Sequence, residues 1–142
     1  MADVQGQSGA AVLLVAHRTA ATPKLLEAVR RRAQQGPCTF TLLVPRHYWE
    51  ADTEFAAAVV ELAVPLLEEA CGAKVDAQIG DSDPFVAVRD IVVSRVFDEV
   101  IISTLPERVS RWLHRDLPAR VQALGLPTTV VKAEGRRQVL TS

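Results

Sequence analysis

The amino-acid sequence predicts an α/β fold, in which one doubly wound parallel sheet carries helices on both faces. Residues 11–16 (AVLLVA) form a continuous apolar run, which is typical of a strand buried on both faces. Residues 39–44 (TFTLLV) and 98–103 (DEVIIS) predict two further strands, and helical patterns lie between the runs. Such alternation favours a parallel sheet with right-handed crossovers. At 142 residues, the chain is expected to form one domain.

The first half of the chain shows clear helix signals. Thr22 and Pro23 predict a helix start, because a hydroxyl can cap the first turn and proline is tolerated there. After the second strand, residues 54–71 predict a long helix rich in Ala, Val and Leu. Pro65 falls inside it, and we expect this proline to kink or split the helix.

The second half continues the same alternation. Residues 73–80 alternate between apolar and polar side chains, which predicts a half-exposed strand at the sheet edge. Residues 81–84 (DSDP) are a helix-start signal, and residues 86–96 carry that helix. A helical region interrupted by Pro118 follows the fourth strand, and residues 127–131 predict a fifth strand.

Composition narrows the function classes. The chain has 16 basic and 17 acidic residues, so its net charge of -1 gives no general attraction to nucleic acid or to an anionic membrane. No apolar run approaches the roughly 20 residues of a membrane span. The first ten residues include Asp3 and no basic residue, unlike a secretory signal, and we expect a cytoplasmic protein.

Domain limits and cysteine usage follow from the same patterns. We expect a disordered tail over residues 1–10, the domain over 11–132 and a polar tail over 133–142. Cys38 and Cys71 are 33 residues apart with no CxxC pattern, so we expect reduced, buried thiols.

The main candidate site follows the fourth strand. In an open parallel sheet, ligands bind outside the carboxyl ends of the strands where the strand order reverses, and Ser103 and Thr104 stand at such an end. Arg108, Arg111 and Arg115 follow at spacings of three and four, which places them on one helix face. Guanidinium groups beside hydroxyls can bind phosphate. An ordinary solvated helix face is the alternative.

The other strand ends add further candidate ligand-binding residues. His17, Arg18 and Thr19 follow the first strand, Val44 ends the second, and Gly80 ends the third. His17 could serve as a base or contact a ligand, or it could be an ordinary polar loop residue. The loop after the second strand contains aromatic residues that could stack on a base or a flavin, or cover the core edge.

Signatures of common enzymes are missing from the sequence. There is no GxGxxG after a strand, no Walker A loop and no GxSxG elbow. His17, His47 and His114 are scattered without metal-ligand spacing. Because no nucleophile, base and orienting group can be assembled, enzymatic activity is undecided and a non-catalytic protein is favoured.

The element order and several motifs resemble the universal stress protein (UspA-like) family. The resemblance covers nearly the whole chain and is best at Gly80-Asp81 with Pro84, at DEVIIS (98–103) and at the PTTVV ending (127–131). It implies a five-stranded sheet of order 3-2-1-4-5, in the adenine nucleotide α-hydrolase-like group. It further implies a stress or regulatory protein that forms a homodimer through the fifth strand, and an ATP- or AMP-type nucleotide as the ligand.

The chain departs from that family at the nucleotide loop. ATP-binding members end the first strand with aspartate, where this chain has His17, and carry a G-x-x-G-x9-G-[ST] loop after the fourth strand. Ser103 and Pro106 stand at the first two glycine positions, and Arg115 or Asp116 at the third. Glycine lets backbone amides approach phosphates closely. We therefore expect a remodelled site at the usual place.

Four functions remain as hypotheses. The first is a non-enzymatic stress or regulatory module that binds a nucleotide or another phosphorylated molecule. The second is a protein-interaction domain with a vestigial ligand site. The third is a flavodoxin-like FMN binder, since residues 19–22 (TAAT) loosely resemble a flavodoxin phosphate loop. The fourth is a small phosphate-ester hydrolase that uses His17.

Overall fold

The computed structural model describes residues 9–46, 52–106 and 110–133. The strands are β1 (Ala10–Val15), β2 (Cys38–Pro45), β3 (Val75–Gly80), β4 (Glu99–Thr104) and β5 (Thr128–Lys132). The helices are α1 (Pro23–Gln34), α2 (Asp52–Cys71), α3 (Pro84–Ser94), α4 (Arg111–His114) and α5 (Leu117–Gln122). Nearly all of both predicted tails, the aromatic loop residues His47, Tyr48 and Trp49, and Arg108 lie outside the described residues.

All five strands are parallel, in the order β3-β2-β1-β4-β5, which confirms the expected fold. β1 is central, with Val15 paired to Leu43 of β2 on one side and to Ile102 of β4 on the other. The chain runs outward from β1 through β2 to β3, then crosses to β4 on the opposite side. The strand order therefore reverses between β1 and β4, and ligand sites are expected outside that point.

The continuous apolar run of β1 feeds two cores, because successive side chains point to opposite faces of a sheet. Val12 and Leu14 lie in the core beneath α1 and α2. Leu13 and Val15 lie in the core beneath α3 and α5. All four side chains are fully buried, so helices cover both faces as predicted.

The predicted helix start at DSDP is confirmed in detail. Asp83 is the N-cap of α3, and its carboxylate accepts hydrogen bonds from the amides of Phe85 and Val86 at 2.9 and 3.3 Å. α2, in contrast, is not split at Pro65 but runs unbroken over 20 residues. Ala63 and Leu67, on either side of the proline, are fully buried and anchor the helix against the core.

Two ion pairs use the arginines at the end of α1. Arg31 pairs with Glu27 one turn earlier at 2.8 Å, and both side chains are largely exposed. Arg32 forms a bidentate pair with Glu99 of β4 at 3.0 and 3.2 Å, and these side chains are only 17% and 26% exposed. The hydrogen bonding of the Arg32 guanidinium to the Glu99 carboxylate raises the pKa of Arg32. This pair ties α1 to the first residue of β4.

The sheet edges agree with the sequence patterns. β3 is an outer strand, as its alternation predicted, with Val75 buried and Asp76 exposed. β5 is the other outer strand, and Val130 and Val131 are half-buried there. Among the helices that the structure describes, none is long and apolar enough to cross a membrane.

Candidate functional site

A buried pair of hydroxyls joins the first loop to β4 at the point where the strand order reverses. Thr19 Oγ1 and Ser103 Oγ are 2.6 Å apart, and the two residues are 3% and 1% exposed. Thr19 follows β1 and Ser103 lies near the end of β4, so the fold brings together two residues that are 84 positions apart. The sequence predicted both as site residues, and the structure places them in contact.

The loop after β1 is compact. The amide of Ala20 donates to the carbonyl of His17 at 3.2 Å, and the amide of Thr22 donates to the carbonyl of Thr19 at the same distance. The Thr22 hydroxyl also donates to the Thr19 carbonyl, at 2.9 Å. His17 is 6% exposed, and its ring packs on Phe55 of α2 with a centroid separation of 5.4 Å. The loop is therefore held firmly against the core.

A cavity of about 510 Å³ opens above this hydroxyl pair. Seven of the ten predicted site residues line it: His17, Arg18, Thr19, Ser103, Thr104, Arg111 and Arg115. The remaining lining residues that the structure describes are Pro45, Arg46, Ser82, Asp83, Pro84, Leu105, Ser110 and Trp112. The cavity thus collects residues that follow β1, β2, β3 and β4, as expected for the carboxyl edge of a parallel sheet.

The charged lining is strongly biased toward cations. Arg18, Arg46, Arg111 and Arg115 line the cavity, and all four are exposed residues whose guanidinium groups can reach a ligand. Within the described lining, Asp83 supplies the one carboxylate, and that carboxylate already caps α3. The cavity is therefore suited to an anion.

Two of the arginines are held by local structure. The Arg46 amide and its Nε both donate to the carbonyl of Gly80, at 3.2 and 3.3 Å, which fixes the base of this side chain beside β3. Arg111 is the first residue of α4, and the hydroxyl of Ser110 caps that helix by accepting from the Leu113 amide at 3.1 Å. Arg115 follows the same short helix.

Three predicted site residues are not among those that line the cavity. Val44 is fully buried in the core beneath α1 and α2. Gly80 lines a neighbouring groove of about 410 Å³ together with Asp81 and Asp90. Arg108 lies outside the described residues.

Gly80 has a packing role in the structure. A Cβ atom at this position would lie 2.8 Å from the Cβ of Ala87 and 3.0 Å from Cδ1 of Leu43. Ordinary carbon–carbon contacts are about 3.5 to 4.0 Å. The glycine therefore allows β3 to approach α3 closely.

Sequence reasoning missed two cavity residues of chemical interest. Trp112 packs against the core beneath α3 and α5, and it also lines the cavity. Arg46 directly follows β2, so the rule that found His17 after β1 could have found it. For Trp112, helical spacing gave no such signal, because α4 is only four residues long.

Asp116 has an unusual backbone conformation next to the cavity. Its φ angle is 55°, in the left-handed region, and among the described residues other than glycine it is the one with positive φ. One of the two alignments of the family's nucleotide loop puts the third glycine here. The backbone conformation thus suits glycine, although the residue is an aspartate.

No group of three or more His, Cys, Asp and Glu side chains within residues 9–46, 52–106 and 110–133 could hold a metal ion.

No protein-family model matches the sequence, and no curated protein matches it. Solved structures do match. A universal stress protein from Archaeoglobus fulgidus has a TM-score of 0.66 at 12% identity, over 93% of this chain and 100% of the other.

Two further similar structures contain adenine nucleotides. A universal stress protein in complex with cAMP has a TM-score of 0.57 at 13% identity, over 89% of this chain and 98% of the other. A universal stress protein family protein from Arabidopsis thaliana with AMP bound has the same TM-score and identity, over 89% and 94%. The expected resemblance to universal stress proteins is therefore confirmed at the level of the fold.

Proposed function

We propose that this protein is a divergent universal stress protein that binds a nucleotide or another phosphorylated small molecule through a single domain over residues 11–132. The observation that carries the proposal is the arginine-lined cavity at the carboxyl ends of β1 and β4. A cavity of about 510 Å³ lies within the size range of small-molecule sites. Structures with the same fold contain AMP and cAMP.

The arginines supply the means of binding phosphate. A guanidinium group can donate two parallel hydrogen bonds to phosphate oxygens, and such charge-assisted bonds are about twice as strong as neutral ones. Arg111 and Arg115 approach the cavity from α4, and Arg46 approaches it from the end of β2. Trp112 offers an aromatic surface in the same cavity. A phosphorylated nucleoside, which combines a phosphate group with an aromatic base, fits this combination.

The altered loop favours a monophosphate or a cyclic phosphate over a triphosphate. A triphosphate cradle needs several free backbone amides close to the ligand. Pro106 has no amide hydrogen, so the position that the resemblance aligns with the second glycine cannot donate to a phosphate. With fewer amides available, the arginine side chains must supply most of the binding, and they suit a compact anion.

Thermal shift and isothermal titration with AMP, cAMP, ADP, ATP and FMN test the proposal. We expect AMP or cAMP to stabilise the protein, since a ligand at about 100 times Kd contributes about 2.7 kcal/mol. Arg111→Ala should weaken binding at least about tenfold, which is about 1.4 kcal/mol. Arg89→Ala is the matched control, because Arg89 is an exposed arginine of α3 that does not line the cavity.

Each contrary result has a definite meaning. If none of the five compounds stabilises the protein, the ligand-binding proposal fails and the interaction-domain hypothesis gains. Equal losses of ligand affinity in Arg111→Ala and Arg89→Ala would show that the ligand is bound by non-specific electrostatic attraction. Tight binding of FMN would instead support the flavodoxin-like hypothesis.

We further propose that the protein is non-catalytic and cytoplasmic and that it forms a homodimer through β5. β5 is an edge strand of the described sheet, and a second copy could extend the sheet by pairing with it. Val130 and Val131 are half-buried there, which suits a modest apolar contact. Sedimentation at micromolar concentration tests the dimer, and a monomer under those conditions would overturn it.

A further inference from the structure

The exposed side of α2 carries apolar side chains that the described fold leaves uncovered. Phe55 is 48% exposed and Leu62 is 63% exposed. They are seven residues apart, or about two helical turns, so they lie in one line along the helix. Ala58 and Pro65, three residues after each, are also exposed and extend the line into a stripe.

This stripe is separate from the face by which α2 joins the domain. Ala56, Ala63 and Leu67 are fully buried and form the core-facing side. Val59 is partly buried and packs at the margin of that core. A surface helix normally has an apolar side that faces the core and a polar side that faces solvent, so apolar residues aligned along the outer side favour an interaction surface. The second stripe therefore indicates a partner.

A row of acidic residues borders the stripe. Glu54 and Glu61 directly precede Phe55 and Leu62 and are exposed, so they form a parallel line on the helix surface. The sequence of α2 contains four glutamates and no lysine or arginine. Two copies of this face would bring like charges together, and anionic lipid would be repelled in the same way. A basic partner would be attracted.

We propose that the exposed stripe of α2 (Phe55, Ala58, Leu62 and Pro65) with its glutamate row docks a basic amphipathic helix of a partner protein. Such a helix would place apolar side chains spaced three, four and seven residues apart on the stripe, and lysine or arginine beside the glutamates. From Phe55 to Pro65 the stripe is roughly 15 Å long, at 1.5 Å per residue. That length accommodates about three turns, and the contact is of the small, reversible kind.

The docking stripe is adjacent to the candidate cavity but does not depend on it. Phe55 packs on His17, which lines the cavity, at the upper end of the stripe. Leu62 lies two turns further along α2 and is not among the cavity-lining residues. Substitution of Leu62 therefore tests docking without altering the proposed ligand site.

The probe is a phage-displayed library of helical peptides whose surface positions vary among Leu, Ala, Lys, Glu and Gln. We expect enriched peptides to carry leucines on one face with flanking lysines. Leu62→Ser should weaken binding of the selected peptides at least about tenfold. Val93→Ser on α3 is the matched control, because Val93 is 80% exposed on a different helix, and it should change affinity less than about twofold.

Charge is tested by a second variant and by salt. Glu61→Lys should weaken binding of the selected peptides at least about tenfold. Raising salt from about 50 to about 300 mM should weaken their binding to the unsubstituted protein. The proposal is overturned if no peptide is enriched, if glutamate-rich peptides are selected, or if Leu62→Ser and Val93→Ser act alike. A dimer that becomes monomeric in Leu62→Ser would overturn it too, by assigning the stripe to a second copy.

Discussion

Replacing Gly80 with alanine tests whether this glycine is required by packing between β3 and α3. The added Cβ would meet Ala87 Cβ at 2.8 Å and Leu43 Cδ1 at 3.0 Å, and both neighbours are buried. Overpacking of this kind costs about 1 to 3 kcal/mol. The lower entropy of the unfolded alanine chain returns about 0.4 to 1 kcal/mol. These ranges give a net loss of about 0 to 2.6 kcal/mol with a midpoint of about 1.3 kcal/mol, measured by urea unfolding followed by circular dichroism.

A compensating substitution sharpens the test. Ala87→Gly removes the atom nearest to the added Cβ. By itself it should lower stability by about 1 kcal/mol through helix propensity and by about 0.8 kcal/mol through the loss of a buried methyl group. Gly80→Ala with Ala87→Gly should then be more stable, by about 1 kcal/mol or more, than the sum of the single losses predicts. Gly72→Ala is the control, because Gly72 has φ +76° and nothing within 4 Å of its Cβ position. The stability lost in Gly72→Ala should add to the stability lost in Ala87→Gly when the two substitutions are combined.

One result would refute this reasoning: additivity of Gly80→Ala and Ala87→Gly within about 0.5 kcal/mol, as found for sites that do not touch. The same variant also tests the sequence-based expectation that Gly80 binds the ligand. If folded Gly80→Ala protein loses AMP affinity more than about tenfold, Gly80 acts on the ligand as well as on packing.

Two other predictions concern single residues. Asp116→Gly should stabilise the protein by about 0.5 to 1 kcal/mol, because the φ of 55° suits glycine, whereas Asp116→Val should destabilise it. Urea unfolding measures the stability of both variants, and equal stabilities would exclude backbone strain at Asp116. Burial raises the pKa of the Cys38 thiol, so the unfolded thiol ionises first and stability should fall as pH rises above the ordinary thiol pKa of about 8.5. That fall should be smaller in Cys38→Ala, and equal slopes between pH 8 and pH 10 would contradict the assignment.

Much of the fold was predictable because its signals are local. The unbroken apolar run of β1, the alternation of β3 and the cap at Asp83 each depend on a few neighbouring residues. The region after β4 was harder. It holds two short helices rather than one interrupted helix, since Pro118 lies in the first turn of α5, where no amide donor is needed.

The site was predictable only where a general rule of parallel sheets applies. That rule places His17, Thr19 and Ser103 at one edge, and the structure brings them together. It does not say which way a strand-end side chain points, and Val44 points into the core. Trp112 lines the cavity because of how α4 packs on the sheet, which depends on contacts distant in sequence.

The region after β4, where the family resemblance places the glycine loop, differs from a backbone phosphate cradle in its residues. At Asp116 the backbone adopts a conformation that favours glycine, although the residue is an aspartate. At Ser103 the buried hydroxyl contacts Thr19 Oγ1 at 2.6 Å, so this side chain joins β4 to the loop after β1. The proposed binding therefore depends mainly on guanidinium groups of exposed side chains. Because ordering such side chains costs entropy and salt screens them, recognition by this site should be weaker and more sensitive to ionic strength than recognition by a backbone cradle.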